Sequence, residues 1–84
     1  MMLRSLGEPG EISHEGIAFA MVDQFGRRIV CLVLYGVLSY LDRAPNPVSV
    51  RALESFNRHR GRIERWVAER FAKTQFAAIR IEMG

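Results

Sequence analysis

Disulfide bonds are excluded within this chain, because its 84 residues include a single cysteine, Cys31. Residues 29–33 around it have the composition of a buried strand, so we expect a small core side chain and not a reactive thiol. No apolar run reaches the ~18 residues that a membrane-spanning helix needs. Residues 1–10 also lack the apolar segment of a secretory signal. We therefore expect a cytoplasmic protein that has no membrane partner.

Clusters of catalytic or metal-binding residues are missing as well. The candidate zinc ligands are Cys31, His14 and His59, and they are expected on a buried strand, a tail and a helix flank, so no metal site is predicted. Neither a glycine-rich phosphate loop nor a nucleophile elbow occurs. Nothing marks a pair of carboxylates for acid–base work. The sequence is therefore expected to be that of a protein which is not an enzyme and uses no cofactor.

The length of the chain allows one domain. There is room for one core in 84 residues, and a hydrophobic content of 49% is enough to form it. Residues 1–15 contain Gly7, Pro9 and Gly10 and show no periodicity, so we expect a flexible or loosely packed N-terminal tail. The α+β domain itself is expected over residues 16–84.

A hairpin is predicted at the start of the domain. Residues 17–22 and 27–34 are apolar and rich in β-branched side chains, which is typical of strands. Asp23 and Gly26 lie between them and are turn residues, so the two strands are predicted to be antiparallel.

Two helices are predicted next. The first covers residues 36–42 and ends before Pro45, because the residue that precedes a proline disfavours the helical conformation. The second is long, over residues 49–73. Its start is predicted to be capped either by Asn46, with Pro47 in the first turn, or by Ser49.

A last short strand over residues 76–83 completes the order β-β-α-α-β, since Ile79 and Ile81 alternate there with Arg80 and Glu82. The expected fold class is α+β with two layers. One layer is a small three-stranded, mainly antiparallel sheet, and the other is dominated by one long C-terminal helix packed on it. The position of the last strand within the sheet stays open.

Both faces of the predicted hairpin are apolar, although a half-buried sheet normally alternates apolar and polar side chains. Two helices on one side cover only one of these faces. The outer face then needs cover from the N-terminal tail, through Leu3, Leu6 and Ile12, or from a second copy of the chain. A homodimer through the outer sheet face is one of these two alternatives.

The long helix has an apolar and a cationic side. At 100° per residue, one sector about 80° wide is apolar and is predicted to pack on the sheet, and it contains Leu53, Phe56, Ile63, Val67 and Phe71. The opposite sector is predicted to face solvent, and it contains Arg51, Ser55, Arg58, Arg62, Arg65, Glu69 and Lys73. Trp66 lies between the two sectors and is expected at the edge of the core.

Two interpretations of the cationic sector are open. Guanidinium groups at this spacing can follow the phosphates of a nucleic acid without reading its bases. The alternative is a solvated helix face built from long side chains with high helix propensity. The residues predicted to contact a polyanion are Arg51, Arg58, Arg62, Arg65 and Lys73.

Arg60 is out of place, because it falls within the apolar sector. An unpaired buried guanidinium costs several kcal/mol, so we expect a structural contact with Asp42, Asp23, Glu82 or free carbonyls of the short helix. A ligand contact and simple snorkelling to solvent are the alternatives.

From Gly16 onward the chain resembles a family of uncharacterised small bacterial proteins, DUF1488. The resemblance rests on the first apolar strand, residues 29–33 (Ile-Val-Cys-Leu-Val), Leu38, Phe56 and residues 60–64 (Arg-Gly-Arg-Ile-Glu). It implies a compact two-layer α+β fold, an arginine at position 60 and a cysteine at position 31, and it implies no activity, substrate or cofactor. The chain departs from the family in its short connection over residues 74–78, and it lacks a tryptophan-bearing segment before the first strand.

Two functions are compatible with these features. The first is a small non-enzymatic structural or interaction module that dimerises through the outer sheet face. The second is a nucleic-acid-binding accessory protein that uses the arginine-rich helix face.

Overall fold

The computed structural model describes residues 3–43, 49–75 and 78–82 and places two helices on one face of a five-stranded sheet. The strands are β1 (Arg4–Ser5), β2 (Glu11–Ile12), β3 (Gly16–Val22), β4 (Arg28–Leu34) and β5 (Ala78–Ile81), and the helices are α1 (Tyr35–Asp42) and α2 (Ser49–Thr74). The α+β class and the order of the predicted elements are confirmed. The expected number of three strands is too small, because two short segments of the predicted tail pair with β3.

The sheet is built around the β3–β4 hairpin, whose antiparallel register runs from Gly16 opposite Leu34 to Val22 opposite Arg28. β1 and β2 share one edge, and both are antiparallel to β3. β5 forms the other edge and lies parallel to β4. Parallel neighbours need a long crossover, which α1 and α2 supply. The sheet is thus mainly antiparallel, and the position of β5 follows from its pairing with β4.

The turn between β3 and β4 is organised by the Asp23 carboxylate. Its Oδ1 accepts hydrogen bonds from the backbone N–H groups of Phe25 (2.9 Å) and Arg27 (2.8 Å), and its Oδ2 accepts one from Arg27 Nε (3.0 Å). Gly26 takes the left-handed φ of 80° that glycine adopts most readily. Burial tends to raise the pKa of Asp23, but the Arg27 and Phe25 donors outweigh it, and the pKa is lowered. The hydrogen bonds of the Asp23 carboxylate are therefore made within its own turn.

The core lies between α2 and the inner face of the sheet. The helix is continuous through Gly61, and its apolar sector is buried as the periodicity predicts, except that Leu53 is only partly buried. The Phe56 ring lies against the Phe19 ring, with centroids 4.9 Å apart. Facing α2 are the side chains that alternate inward along the three longer strands, Ile17, Phe19, Met21, Ile29, Cys31, Val33, Ile79 and Ile81. α1 closes one flank of this core with Val37 and Leu38.

The N-terminal segment packs on the core through Leu3 and Gly10. Leu3 is buried within the core cluster, whereas Leu6 and Ile12 are exposed. Gly10 packs so closely on Ile17 and Phe56 that a Cβ atom there would meet both side chains. The predicted division into a tail over residues 1–15 and a domain over residues 16–84 stays a prediction.

Both helices end with a residue in the left-handed conformation. Arg43 (φ 53°) follows α1 and donates its backbone N–H to the Tyr40 carbonyl, and Gln75 (φ 59°) follows α2 and donates to the Phe71 carbonyl at 2.8 Å. This is the usual way to satisfy the last free carbonyls of a helix. The predicted caps of α2, Asn46 with Pro47 or the Ser49 side chain, lie outside the part of the chain that the structure describes.

Two glycines provide a matched test of this fold. A Cβ atom at Gly16 would overlap the Val33 carbonyl oxygen, so Gly16→Ala is expected to lower the free energy of unfolding by about 2 kcal/mol or more. A Cβ atom at Gly61 meets nothing within 4 Å, and alanine is the better helix former, so Gly61→Ala is expected to raise it by about 1 kcal/mol. Urea midpoints measure both changes. A Gly16→Ala midpoint equal to that of the wild type would contradict the close β3–β4 contact.

Candidate functional site

Asp42, the last residue of α1, connects the two helices. Its Oδ2 accepts a hydrogen bond from Arg58 Nη2 at 2.8 Å, and its Oδ1 lies 2.8 Å from His59 Nε2. Both partners belong to α2 and are neighbours in sequence. A single carboxylate therefore holds the end of the short helix against the first half of the long one.

The environment of Asp42 favours its charged form. The Ser55 hydroxyl has the largest effect on Asp42, followed by the His59 ring and, more weakly, the Arg58 guanidinium. Together they outweigh the cost of desolvation and lower the pKa of Asp42 to about 2. Ser55 Oγ makes no hydrogen bond of standard geometry with a described residue, so it acts as a dipole that faces the carboxylate.

Ser55 was predicted on the solvent-exposed side of the long helix, and that prediction is wrong. The residue is fully buried. Its angular position lies on the flank of α2 against which α1 packs, so a contact between the helices covers it. The periodicity of α2 alone cannot predict this contact, because the contact depends on where α1 packs.

Asp42, His59 and Ser55 are the residue types of a nucleophilic triad, but their arrangement differs from one. In a triad the histidine lies between the carboxylate and the hydroxyl, which it deprotonates. Here Asp42 lies between His59 and Ser55, and the serine has no access to solvent. The geometry is that of a clamp between helices.

Arg60 makes a structural contact within its own helix. Its Nε donates to Glu64 Oε2 at 3.1 Å, and its guanidinium lies over the Phe56 ring, 5.1 Å from the centroid. The Arg60 and Glu64 side chains are 18% and 14% exposed, so the pair lies at the edge of the core and not deep within it. Arg60 Nη2 is nevertheless buried and has no partner among the residues that the structure describes.

The expected partners of Arg60 were wrong. Asp42 binds Arg58 and His59, Asp23 binds Arg27, and Glu82 binds Arg80. Glu64 is preferred because residues at positions i and i+4 of a helix are neighbours in any tertiary setting. The spacing of arginine and glutamate along residues 60–64 was the signal in the sequence that identifies this pair.

The predicted polyanion-binding residues lie together on the exposed side of α2, and all five side chains are exposed: Arg51, Arg58, Arg62, Arg65 and Lys73. Arg58 is already bound to Asp42, and the Arg62 guanidinium lies over the Trp66 ring, 5.6 Å from its centroid. The other three form no ion pair with the described part of the chain, and neither does Arg70, which the sequence pattern did not single out. We call the exposed set Arg51, Arg62, Arg65 and Lys73 the cationic face, and Arg70 lies beside it on the flank of α2 that faces β5.

The outer face of the sheet is apolar at its centre. It is formed by alternate residues of the two central strands, Ala18, Ala20, Val22, Val30, Leu32 and Leu34. Val30 is 56% exposed, whereas Ala20 beside it is buried.

Ion pairs border this outer face on two sides. Arg28 Nη2 lies 2.6 Å from Glu8 Oε1, next to a groove of about 430 Å³ that Glu8 and Pro9 form over the strands. Arg80 Nη2 lies 2.7 Å from Glu15 Oε2, and Arg80 Nε lies 3.2 Å from Glu82 Oε2. The N-terminal segment thus reaches this face with charged side chains and leaves Val30 exposed.

The Cys31 thiol is buried in the core. Burial raises the pKa of the Cys31 thiol to about 12, so it stays protonated at neutral pH. Within residues 3–43, 49–75 and 78–82, no three histidine, cysteine, aspartate or glutamate side chains converge to hold a metal ion. The same residues include no helix with the length and apolar character needed to cross a bilayer.

Residues 11–82 of the chain match the family described as protein of unknown function (DUF1488). The match begins ahead of Gly16, where the sequence resemblance was placed, and it spans β2 to β5. No curated protein and no solved structure matches the chain.

The Asp42 clamp is expected to make stability sensitive to acid. Its pKa of about 2 in the folded chain lies below the ordinary value of 3.8, so its stabilising effect is present above the ordinary value and is lost as the pH falls toward 2. Asp42→Asn removes this effect at every pH. The difference in urea midpoint between the wild type and Asp42→Asn should therefore shrink as the pH is lowered from neutral to strongly acidic.

Glu54→Gln is the matched control, because Glu54 is exposed on α2, the helix that Asp42 contacts, and has no ion pair with a described residue. Its midpoint should follow that of the wild type across the titration. A constant gap between wild type and Asp42→Asn over the whole range would show that the carboxylate charge does not hold the helices together.

Proposed function

The chain belongs to the DUF1488 family, whose function is unknown, and we propose that it is a non-enzymatic interaction module that forms a homodimer through the outer face of its sheet. The exposure of Val30 carries this proposal. Val30 lies on β4, an inner strand of the sheet, and is 56% exposed. Apolar neighbours on both central strands extend the patch around it.

The charges at the edge of the patch favour a second copy as its partner. Each copy presents carboxylates and guanidinium groups side by side, at Glu8 with Arg28 and at Glu15 with Arg80. In a two-fold contact the same surface meets itself, so carboxylates of one protomer can lie against guanidinium groups of its partner. An apolar centre with a charged rim is also the usual anatomy of a protein interface.

Light scattering tests the dimer directly. The wild type should give a mass near twice 9.6 kDa at high micromolar concentration. Val30→Glu places a charge at the centre of the patch and should weaken dimerisation at least about tenfold, because truncation or charging of a central interface residue is costly. Sedimentation equilibrium measures the change.

Phe25→Glu is the matched control. Phe25 is 80% exposed, but it lies in the β3–β4 turn, away from the patch, so the same charge there should leave the dimer intact. A monomeric wild type at high micromolar concentration would refute the homodimer. Equal dissociation by both variants would show that the patch is not the interface.

A second candidate function is the binding of nucleic acid along the cationic face. What favours it is the absence of acidic partners for Arg51, Arg65 and Lys73 among the described residues. Residues 51–73 extend for about 33 Å along the helix axis, which is long enough to follow several phosphates. Such contacts give affinity without base specificity.

Charge reversal separates this candidate from a merely solvated helix. Arg65→Glu should weaken the binding of nucleic acid at low salt by about tenfold, and binding by the wild type should fall steeply as salt rises. Arg4→Glu is the control, because it changes the net charge equally from an exposed position on β1. Equal effects of the two reversals would assign the binding to net charge, and no binding at low salt would exclude the candidate.

A further inference from the structure

A groove lies where the C-terminal half of α2, the beginning of α1 and the end of β5 meet. Its volume is about 360 Å³, which falls within the range of pockets that hold small organic groups. Its apolar lining is supplied by Val37, Trp66 and Ile81. Its polar lining consists of Glu69, Arg70, Lys73 and Glu82. The groove thus combines an aromatic ring with charges of both signs.

Trp66 is held firmly in this groove. The ring is partly buried and packs against the core, and the Arg62 guanidinium lies over it, 5.6 Å from the centroid. A ring that is fixed by its surroundings loses little freedom when a second planar group packs on it. The sequence places Trp66 only at the edge of the core, and the groove beside it is a product of tertiary packing.

The charges beside Trp66 fit a nucleotide. Arg70 and Lys73 have no ion pair with a described residue and are therefore available to a phosphate. Glu82 is bound to Arg80, which also binds Glu15, so the charge of Glu82 is compensated only in part. Glu69 carries a carboxylate that can accept a hydrogen bond from the amino group of a base.

We propose that this groove receives one unstacked base of a single-stranded nucleic acid, which packs against Trp66 while its phosphate contacts Arg70 and Lys73. The proposal rests on the second candidate function and specifies its ligand, because Arg62, one turn before Trp66 and over its ring, links the groove to the cationic face. An aromatic platform beside a cationic track is the general arrangement for single strands. A duplex cannot use it, since its bases are stacked and paired.

The intrinsic fluorescence of the protein gives a direct test, because Trp66 is its single tryptophan. A mixed-sequence single-stranded DNA of about 12 nucleotides should bind and quench this fluorescence, since a stacked base quenches indole emission. A duplex of the same length and heparin should bind to the cationic face without quenching. Fluorescence anisotropy of labelled DNA records binding independently of the tryptophan signal.

Two variants at position 66 sharpen the test. Trp66→Leu removes the ring and should weaken single-strand binding about tenfold, with little effect on the duplex. Trp66→Phe keeps an aromatic platform and should stay close to the wild type. Circular dichroism checks that each variant is folded, and the quenching of the wild-type protein decides the question if Trp66→Leu is not.

The outcomes distinguish the groove from the cationic face. Binding of single-stranded DNA without quenching would overturn the proposed base site and leave nucleic-acid binding by the helix intact. Equal affinities of Trp66→Leu and the wild type for single strands would do the same. Failure of single strand, duplex and heparin to bind at low salt would overturn the second candidate function together with the groove.

Discussion

Four side chains on one side of α2, Phe56, Ile63, Val67 and Phe71, are buried against the inward-facing residues of β3, β4 and β5. This contact requires a long helix that keeps its α-helical periodicity and is not interrupted at Gly61. It fixes which sides of α2 face the sheet, α1 and solvent. The clamp at Asp42, the cationic face and the groove at Trp66 all follow from that orientation.

Charges are distributed unequally between the two layers. On the sheet side Arg27, Arg28 and Arg80 have acidic partners, which are Asp23, Glu8 and Glu15. Along the exposed side of α2, Arg51 and Arg65 form no such pair with the described chain. The net charge of +3 is therefore concentrated on the helical layer. This separation of charge is why we propose different partners for the two layers, a second copy for the outer face of the sheet and a polyanion for the cationic face.

Polar groups at the boundary between the layers are matched locally. Asp23 is satisfied by its own turn, and Arg60 is satisfied in part by Glu64 one turn along the helix. Asp42 is the exception, because its partners are separated from it by the connection between the helices. Its lowered pKa shows that this long-range contact is favourable for the charged carboxylate. The contact holds α1 against α2, and that in turn buries Ser55.

The sequence by itself determined the three longer strands, both helices and the side of α2 that packs on the sheet. Periods of two and of 3.6 residues show directly which side chains share a face, so the hairpin, both helices and the buried sector of α2 could be predicted. It also determined the position of the exposed arginines. These are local properties, because neighbouring residues alone set the direction of each side chain.

Only the tertiary structure decided which strands pair with the hairpin and which side chains of different elements come into contact. The pairing of residues 4–5 and 11–12 with β3, the parallel position of β5 and the burial of Ser55 all depend on contacts between segments distant in sequence. The groove at Trp66 is formed by three elements, and periodicity within any one of them does not reveal it. The reason is physical: a side chain's direction follows from its own backbone, whereas its partner follows from how whole elements pack.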